Sequence, residues 1–296
     1  MVEHKNDFRN EWMGPKHKNM YETLDLNKCA PCRPHSHNVQ IQKQIDENTV
    51  RHMILNSLRM YRSRFVSEFG ELVLCYDSRH YWRRDYFPEY KHSRRKGREK
   101  DSKNWDNIFG CLNKIKEEIK NNMPYKFLEV YGAEADDIIA TLCSESSDEV
   151  MILSGDKDFI QLQKYPNVKQ YSPITKKMIN GFNADDYLKE HVLKGDSSDG
   201  VPNVLSPDNS FVDGIRQKPL SKKKIAAMIE GKFPNDEVKR NFQRNKTLID
   251  LGCAPDELRT EILNTYKDAP ENSRNKILNY FIKQRLKTLT ESIGEF

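Results

Sequence analysis

The sequence lacks the features that mark membrane-spanning, secreted and disulfide-stabilised proteins. No apolar run approaches the ~20 residues needed to span a bilayer. The opening stretch "MVEHKNDFRNEWMGPKHKN" has no apolar segment of the kind found in a secretory signal. Only 6 cysteines are scattered over 296 residues, which favours reduced thiols in a cytosol over a disulfide framework. No Ser/His/Asp pattern stands out, so a side-chain nucleophile is not indicated.

The composition indicates a compact core under a heavily charged surface. Apolar residues make up 36% of the chain and charged residues 31%, with a formal net charge of +5. The apolar runs "ELVLCYD" and "EVMILSGD" argue against wholesale disorder. A chain of this length can form one large α/β domain, or such a domain with a smaller helical appendage.

Short apolar strands alternate with helical segments over the first two thirds of the chain. Helical spacing predicts helices at 50–66, at 105–121 and at about 134–144. Strands are predicted at "ELVLCYD", near "YKFLEVYG" and at "EVMILS". This alternation predicts an α/β fold in which a parallel-rich central sheet is covered by helices. After residue 184 the pattern is mostly helical and basic, and residues 200–219 are predicted only as a loop.

Acidic residues collect where the predicted elements begin or end. Asp77 ends the first strand, and "SGDKDF" places Asp156 and Asp158 after the third. Side chains at the carboxyl ends of strands in open α/β sheets converge on a shared crevice. "EADD" adds acids at a helix start, where backbone amides tolerate negative charge, and "KGDSSDGVP" adds two in a glycine-flanked turn. These further acids are Glu134, Asp136, Asp137, Asp196 and Asp199.

Such a concentration of carboxylates requires neutralisation if the acids share one cleft. Two unit charges 4 Å apart repel by about 4 kcal/mol at an effective dielectric of 20. Several such pairs would cancel the ~5–15 kcal/mol that stabilise a typical domain. Oxygen ligands suit Mg²⁺ or Mn²⁺ better than zinc. The alternative for each acid taken alone is ordinary capping of a helix or turn; the three motifs together favour a metal cluster.

A basic and aromatic stretch follows Asp77 directly. Residues 79–100, "RHYWRRDYFPEYKHSRRKGREK", contain nine Lys or Arg, three acids and five aromatic side chains. Cations at this density follow phosphates, and aromatic faces stack on bases. A solvated helical face is the alternative. Because the stretch lies at the mouth of the presumed crevice, we favour contact with nucleic acid.

The combined motifs resemble the 5′-nucleases of the flap-endonuclease superfamily, in the branch found in T-even bacteriophages. The resemblance covers about residues 50–296 and rests on "VRHMILNS", "LVLCYD", "YWRRD…YK", "EADD", "SGDKDFIQLQKYPNVKQYSP", "LKGDSSDGV" and "ESIGEF". It implies a PIN-like 5′-nuclease domain at 20–183, which includes a helical arch at 79–103. It also implies a helical duplex-binding region at 184–296 that starts with a helix-three-turn-helix. The polar composition of residues 1–19 separately predicts a flexible arm there.

The resemblance implies a metal-dependent 5′→3′ exonuclease and flap endonuclease with ribonuclease H activity. Its task would be the removal of lagging-strand primers during phage replication, in the cytoplasm of the infected host. The substrates would be DNA and RNA–DNA duplexes with a 5′ end or flap. The protein is expected to be a monomer without membrane contact. A phage single-stranded DNA-binding protein and a sliding clamp are the implied partners.

The resemblance also implies the roles of individual residues. Two Mg²⁺ or Mn²⁺ would be bound, the first by Asp77, Asp136 and Asp156 and the second by Asp158, Asp196 and Asp199, with Glu134 and Asp137 completing the ring. Lys91 matches the arch lysine that offsets transition-state charge, and Arg84 is counted with it among the catalytic residues. The expected nucleic-acid contacts are Arg83, Arg84, Tyr90, Lys91, Arg94, Lys96, Gly195, Gly200 and Val201. The glycine turn of this family often binds a monovalent cation.

The region before residue 50 departs from the family pattern. Asp25, in "MYETLDLNK", is the candidate for the metal ligand that ends the family's first strand, although Glu22 and Thr23 suit a buried strand poorly. The following "CAPCRPHSH" contains four residues of zinc-ligand type, Cys29, Cys32, His35 and His37. Their tight spacing and two prolines make a closed tetrahedral site awkward.

Two other functions remain open from the residues alone. A nucleic-acid-binding protein without catalysis would bind duplexes and form no product at any magnesium concentration. A metal-dependent phosphatase for small molecules would have no use for the basic stretch, and its activity would barely respond to salt. Binding by a nuclease should instead weaken steeply as salt rises. The sequence does not rank the exonuclease, flap and RNA-directed activities.

Overall fold

The computed structural model of the protein describes residues 46–270 and 274–296. The elements of its first half are α1 Glu47–Phe69, β1 Val73–Tyr76, α2 Trp82–Tyr86, α3 His92–Lys100, α4 Trp105–Asn122, β2 Lys126–Glu129, α5 Ala135–Glu145, β3 Val150–Leu153 and a 3₁₀-helix Lys157–Lys164. Those of its second half are β4 Val168–Ser172, β5 Lys177–Ile179, α6 Ala184–Lys194, α7 Lys222–Ile229, α8 Asp236–Ile249, a 3₁₀-helix Leu251–Cys253, α9 Asp256–Asp268, α10 Asn275–Lys283, α11 Lys287–Thr290 and a 3₁₀-helix Ile293–Glu295. None of the helices in these ranges is long and apolar enough to cross a bilayer.

The described strands form two small sheets. β1 and β2 pair in parallel, with Val73 opposite Lys126 and Tyr76 opposite Glu129. β3 and β4 also pair in parallel, and β5 adds to β4 in the antiparallel direction. The predicted α/β fold with parallel strands and covering helices is confirmed. Within 46–270 and 274–296, however, β1 and β3 are not paired with each other, so the predicted central sheet is divided.

Capping side chains fix the starts of two helices that the apolar spacing predicts. α1 begins after Asp46, whose Oδ1 accepts the Asn48 N–H at 3.1 Å. α4 begins after Asn104, whose Oδ1 accepts the Asn107 N–H at 3.0 Å. Each side chain satisfies a donor that the first helical turn leaves without a backbone partner. The helices predicted at 50–66 and 105–121 are therefore present, slightly extended.

The main hydrophobic core lies between α1, α4 and the last helices. Leu55, Ile115, Met123 and Phe281 are almost completely buried in it. Phe296 is also buried, with its ring 5.1 Å from that of Phe281. Burial of side chains of this size contributes about 1.5–3 kcal/mol each. Residues 46–270 and 274–296 thus belong to one compact unit. The boundary predicted between residues 183 and 184 stays a prediction, and the arm predicted at 1–19 lies outside the described residues.

A second cluster attaches the basic stretch to the C-terminal half. Phe87 and Tyr90, in the turn between α2 and α3, are buried against Val192, Val201 and Leu248 of the α6–α8 region. The segment predicted as an arch therefore consists of two short helices, α2 and α3, whose connecting turn is packed on the body of the protein. This packing places the basic stretch beside the turn that follows α6.

The region predicted only as a loop, 200–219, consists of turns that α8 holds in place. Asn241 donates to the carbonyl oxygens of Val204 and Ser206 at 3.0 and 3.3 Å. Asn245 donates to those of Val192 and Pro202 at 2.8 and 2.9 Å. Buried amides that satisfy loop carbonyls in this way explain how the segment stays compact without regular structure.

Backbone contacts beyond β1 and β2 keep the two strand ends together. Ser78 N–H donates to the Ala133 carbonyl oxygen at 3.0 Å, and Trp82 N–H donates to that of Gly132 at 2.9 Å. A β-bridge joins Tyr81 to Gly132. The residues that follow both strands therefore leave the sheet side by side.

Candidate metal centre

Asp77 stands at the carboxyl end of β1 and caps the neighbouring helix. Its Oδ1 accepts the Ala135 N–H at 2.8 Å, at the first turn of α5. A carboxylate is stabilised there by unpaired amides and by the positive end of the helix dipole. The contact brings the acid predicted after the first strand next to the acids of "EADD".

Four acids from three parts of the chain line one cleft, as the sequence predicts. They are Asp136 from α5, Asp158 from the 3₁₀-helix after β3, and Asp196 and Asp199 from the turn after α6. Burial raises the pKa of Asp136 to about 7, and the negative charges of Glu134 and Asp156 add to the effect. Burial raises the pKa of Asp158 to about 8, and Asp156 and Asp196 are its strongest charged neighbours. The acids therefore repel one another in the folded protein.

Asp156 and Asp196 combine capping with membership of the acidic group. Asp156 Oδ1 accepts the Asp158 N–H at 3.0 Å. Asp196 Oδ1 accepts the N–H groups of Ser198 and Asp199 at 2.7 and 3.3 Å. One oxygen of each carboxylate therefore caps a turn, as the capping alternative proposes. Both side chains nevertheless add negative charge to the cleft.

Glu134 and Asp137 form a buried ion cluster with Arg83. The Arg83 guanidinium donates to Glu134 Oε2 at 3.0 Å and to Asp137 Oδ2 at 2.8 Å, and a second nitrogen lies 2.8 Å from Asp137 Oδ1. Glu134 and Asp137 also form the capping box that starts α5. All three side chains are at most 2% exposed.

This cluster corrects two expectations. Arg83 was expected to steer a nucleic-acid strand, but its guanidinium is buried and also donates to the Leu248 carbonyl oxygen at 2.9 Å. Asp137 was expected in the metal ring, but both its oxygens lie against Arg83. Both side chains therefore stabilise the start of α5 and are shielded from solvent, although Arg83 also lines the inner wall of the cleft.

Tyr90 and Lys91 connect the turn between α2 and α3 to two of the acids. The Tyr90 hydroxyl lies 2.8 Å from Asp199 Oδ2 and 3.1 Å from Glu134 Oε2, so the two carboxylates share its one proton as hydrogen-bond acceptors. Lys91 Nζ donates to Glu134 Oε1 and lies 3.5 Å from Asp199 Oδ2. Burial opposes the charge of Lys91, but Asp199 and Glu134 outweigh it and raise the pKa of the ammonium. Tyr90 is buried, so it orients acids and does not present a face to nucleic acid.

The other predicted arch cations lie at the surface. Arg94 forms an ion pair with Asp199 and donates to the Ser198 carbonyl oxygen at 3.1 Å. Arg84 is exposed, with its guanidinium 5.2 Å from the centre of the Tyr81 ring. Lys96 is exposed and donates to a loop carbonyl oxygen. These three side chains are accessible to phosphates.

The glycine turn after α6 has the tight geometry that its sequence predicts. Gly195 and Gly200 have φ of 69° and 74°, which favour glycine. A Cβ at Gly195 would clash with the Val201 carbonyl oxygen. Asp196 and Val201 exchange backbone hydrogen bonds at 2.9 and 2.7 Å across the turn. The turn therefore places Asp196 and Asp199 at the cleft, while the Val201 side chain is buried.

His191 is a member of the site that sequence reasoning misses. Its ring nitrogen, one oxygen of Asp158 and one of Asp196 lie within 4.8 Å of one another, a spacing that could hold a metal ion. Burial lowers the pKa of His191, against the opposing effect of Asp196. In the sequence, the only indication of this role is the position of His191 in the last turn of the helix that precedes "GDSSD". Asp25, Cys29, Cys32, His35 and His37 lie outside the described residues.

Comparison with protein families gives matches along nearly all of the chain. The model of the 5′-3′ exonuclease, N-terminal resolvase-like domain, matches residues 35–194, and that of the T4 RNase H C-terminal region matches residues 183–296. The chain is 36% identical to ribonuclease H of Enterobacteria phage T4 over 272 residues, which cover 86% of this chain and 89% of that protein. It is 28% identical to flap endonuclease Xni of Shewanella sp. strain MR-4 over 134 residues, 42% of this chain and 48% of that protein.

Solved structures show the same fold. A bacteriophage T5 flap endonuclease, crystallised with DNA and metal ions, aligns with a TM-score of 0.51 and 16% identity over 72% of this chain and 91% of its own. A T5 protein co-crystallised with metal ions gives a TM-score of 0.50 and 18% identity over 74% of this chain and 97% of its own. The chain therefore belongs to the 5′-3′ exonuclease family and is a 5′ nuclease, a hydrolase of phosphodiester bonds.

Proposed function

We propose that the chain cleaves RNA–DNA and DNA duplexes from a 5′ end, and cleaves 5′ flaps, with two divalent cations in the acidic cleft. The observation that supports this proposal is the convergence of carboxylates from the end of β1, the start of α5, the end of β3 and the turn after α6. Such a group of mutually repelling charges is stable when cations lie between them. The substrates follow from the same family relationship.

The side chains around the cleft fit Mg²⁺ or Mn²⁺. Carboxylate oxygens predominate, with His191 as one nitrogen, and hard divalent cations prefer oxygen. We assign Asp77, Asp136 and Asp156 to the first cation and Asp158, Asp196 and Asp199 to the second. Glu134 supports the site through Lys91 and Tyr90. Asp25 remains a prediction as a further ligand.

The proposed chemistry is attack of water on the phosphodiester. Divalent cations bound here would lower the pKa of the attacking water and stabilise negative charge on the leaving 3′ oxygen. Lys91 lies at the wall of the cleft, between Glu134 and Asp199, and its ammonium can offset negative charge on the scissile phosphate. Arg84 would act with Lys91 from the exposed side of α2.

Exposed cations of the basic stretch would hold the phosphates next to the reacting one. Arg84, Arg94 and Lys96 are accessible and lie on the segment packed beside the glycine turn. The backbone at Gly195, Gly200 and Val201 would contact the duplex, with a monovalent cation at the turn. Because these contacts are ionic, binding should weaken steeply as salt rises.

The biological role that we propose is removal of RNA primers and adjacent DNA from lagging-strand fragments during phage replication. The protein would act as a monomer in the cytoplasm of the infected host. A phage single-stranded DNA-binding protein and a sliding clamp are the proposed partners. The family relationship to the phage T4 enzyme supports this role.

A cleavage assay with a matched variant tests the proposal. A 5′-labelled RNA–DNA hybrid and a 5′-flap DNA are incubated with wild type, Asp156→Asn and Asp236→Asn, with and without Mg²⁺. Wild type and Asp236→Asn, which changes an exposed acid at the start of α8, should form product only with Mg²⁺. Asp156→Asn should bind the flap normally and form none.

Calorimetric titration with Mn²⁺ gives a readout that does not depend on activity. Wild type should show two sites, and Asp156→Asn should weaken at least one of them. Activity without a divalent cation, or full activity of Asp156→Asn, would refute the metal assignment. The phosphatase alternative would be supported if the protein hydrolysed a small phosphate monoester at a rate that does not depend on salt, and cleaved no nucleic acid.

A further inference from the structure

An exposed aromatic pair lies beside the acidic cleft and has no part in the site described above. Tyr131, two residues after β2, is 79% exposed. Its ring stacks on the imidazole of His80, with the centroids 5.3 Å apart and the planes inclined by 21°. His80 is itself positioned by Asp85, whose Oδ2 lies 2.8 Å from His80 Nε2. A large ring that is exposed and yet held in a near-parallel stack presents a flat aromatic face to solvent.

The backbone fixes this pair next to the cleft. His80 follows Asp77 by three residues, and Tyr131 precedes Glu134 by three. The bridge between Tyr81 and Gly132 ties together the two segments that carry the rings. Because Asp77 accepts the Ala135 N–H, the two segments that carry the rings meet again at the acidic group, which places the aromatic pair near its rim.

The half-buried stack below the pair has a different role. Tyr76 and Phe127, on the paired strands β1 and β2, stack at 4.5 Å with their rings only partly accessible. That stack is accounted for by packing within the sheet. The Tyr131–His80 pair lies on the residues beyond the strand ends, and its tyrosine is 79% exposed. Packing alone does not account for this exposed ring.

The segment that carries His80 also carries exposed cations. Arg79, next to His80, is exposed, and Arg84 lies over the Tyr81 ring. Single-stranded nucleic acid is bound by this combination, because bases stack on aromatic faces and phosphates pair with neighbouring cations. The chemistry at this rim therefore fits an unpaired nucleobase with its backbone phosphate.

We propose that Tyr131 and His80 form a stacking site for an unpaired base of the substrate strand, next to the cleft. This inference rests on the proposed function, since it assumes a nucleic-acid substrate with a single-stranded end. The site is indifferent to the identity of the base, because every base has an aromatic face. Its contribution is to position the strand, whereas the acids and Lys91 act on the phosphate.

The test uses the full chain and a 5′-flap DNA carrying 2-aminopurine at successive flap positions, without divalent cation. On wild type and Tyr131→Phe, stacking should quench the fluorescence at one or two positions. Tyr131→Leu keeps an apolar side chain but has no aromatic face, so the quenching should be lost. Its affinity for the flap should fall roughly 5- to 100-fold. A flap with an abasic residue at the quenched position should bind wild type and Tyr131→Leu equally.

The outcomes separate this inference from the proposed function. Equal quenching and affinity in wild type and Tyr131→Leu would overturn the stacking site, even when wild type cleaves with Mg²⁺. Equal loss of affinity for the intact and the abasic flap would also overturn it, since the effect would not involve the base. If wild type cleaves neither flap nor hybrid, the proposed function itself has failed. The folding control is thermal unfolding. Tyr131→Leu should have the melting temperature of wild type, because the side chain is exposed.

Discussion

Replacing Arg83 by methionine should destabilise the protein severely. The guanidinium makes hydrogen bonds to Glu134, Asp137 and the Leu248 carbonyl oxygen at 2.8–3.0 Å. Methionine fills a similar volume but provides no donor, so the fully buried Asp137 carboxylate loses the Arg83 cation and Glu134, which is 2% exposed, keeps only Lys91. Breaking a buried ion pair by removing one partner costs about 3–5 kcal/mol. We expect a loss of that size for Arg83→Met.

The expected loss is large relative to the whole stability of a domain, ~5–15 kcal/mol. For a protein of this size, each kcal/mol lowers the melting temperature by about 2–4 °C, so the midpoint should fall by roughly 6–20 °C. Urea unfolding followed by circular dichroism measures the free energy directly. The control is Arg84→Met, which changes the exposed neighbour and should stay within about 0.5 kcal/mol of wild type.

A double variant distinguishes the ion cluster from simple packing. Adding Asp137→Asn to Arg83→Met removes one of the unpaired buried charges, so the double variant should regain part of the lost stability. A free energy of unfolding for Arg83→Met within about 1 kcal/mol of wild type would refute a stabilising ion cluster. Neutral surface substitutions alone vary by about 0.5 kcal/mol. If such a stable variant also lost duplex binding, Arg83 would be a nucleic-acid contact as its position in the basic stretch predicts.

Three further changes test other parts of the site. Lys91→Ala should lower kcat by about 10²–10³ and change flap binding much less, because the ammonium acts on transition-state charge; equal losses in single-turnover rate and in affinity would contradict this role. His191→Ala should weaken Mn²⁺ binding by about 10- to 100-fold in calorimetric titration, as loss of a ligand or of its support does, and unchanged affinity would remove His191 from the site. Asn245→Ala should lower the free energy of unfolding by about 1–3 kcal/mol, because the carbonyl oxygens of Val192 in α6 and Pro202 in the loop lose a buried donor. Denaturant unfolding measures this loss. An unchanged free energy of unfolding for Asn245→Ala would show that the loop does not depend on this contact with α8.

Sequence patterns predict most of the elements, because these depend on local spacing. The helices near 50–66, 105–121 and 134–144 and the strands around them appear within a few residues of the predicted bounds. Acids after β1 and β3 were predicted at one edge because parallel strands bring their carboxyl ends together. The division into two sheets was not predicted, since strand partners are set by tertiary packing.

The sequence does not predict which acids pair with Arg83 and which line the cleft. In "EADD", Glu134 and Asp137 are three residues apart and face Arg83, while Asp136 lines the cleft. Arg83 lies more than 50 positions earlier in the chain, in a stretch whose charge favours solvent or phosphate. Only the fold shows that the Arg83 side chain points inward. His191 was missed for the same reason, since its proximity to Asp158 depends on the packing of α6.

The charges of the described acids favour two divalent cations over one. Three acids, Glu134, Asp137 and Asp199, form ion pairs with Arg83, Lys91 and Arg94 and are thereby neutralised within the protein. The five others form no ion pair with a described Arg or Lys side chain. They are Asp77, Asp136, Asp156, Asp158 and Asp196. Each unscreened pair at about 4 Å costs about 4 kcal/mol at an effective dielectric of 20. One divalent cation would leave most of this repulsion in place, whereas two would bring the cleft close to neutrality, which is why we expect the Mn²⁺ titration to show two sites.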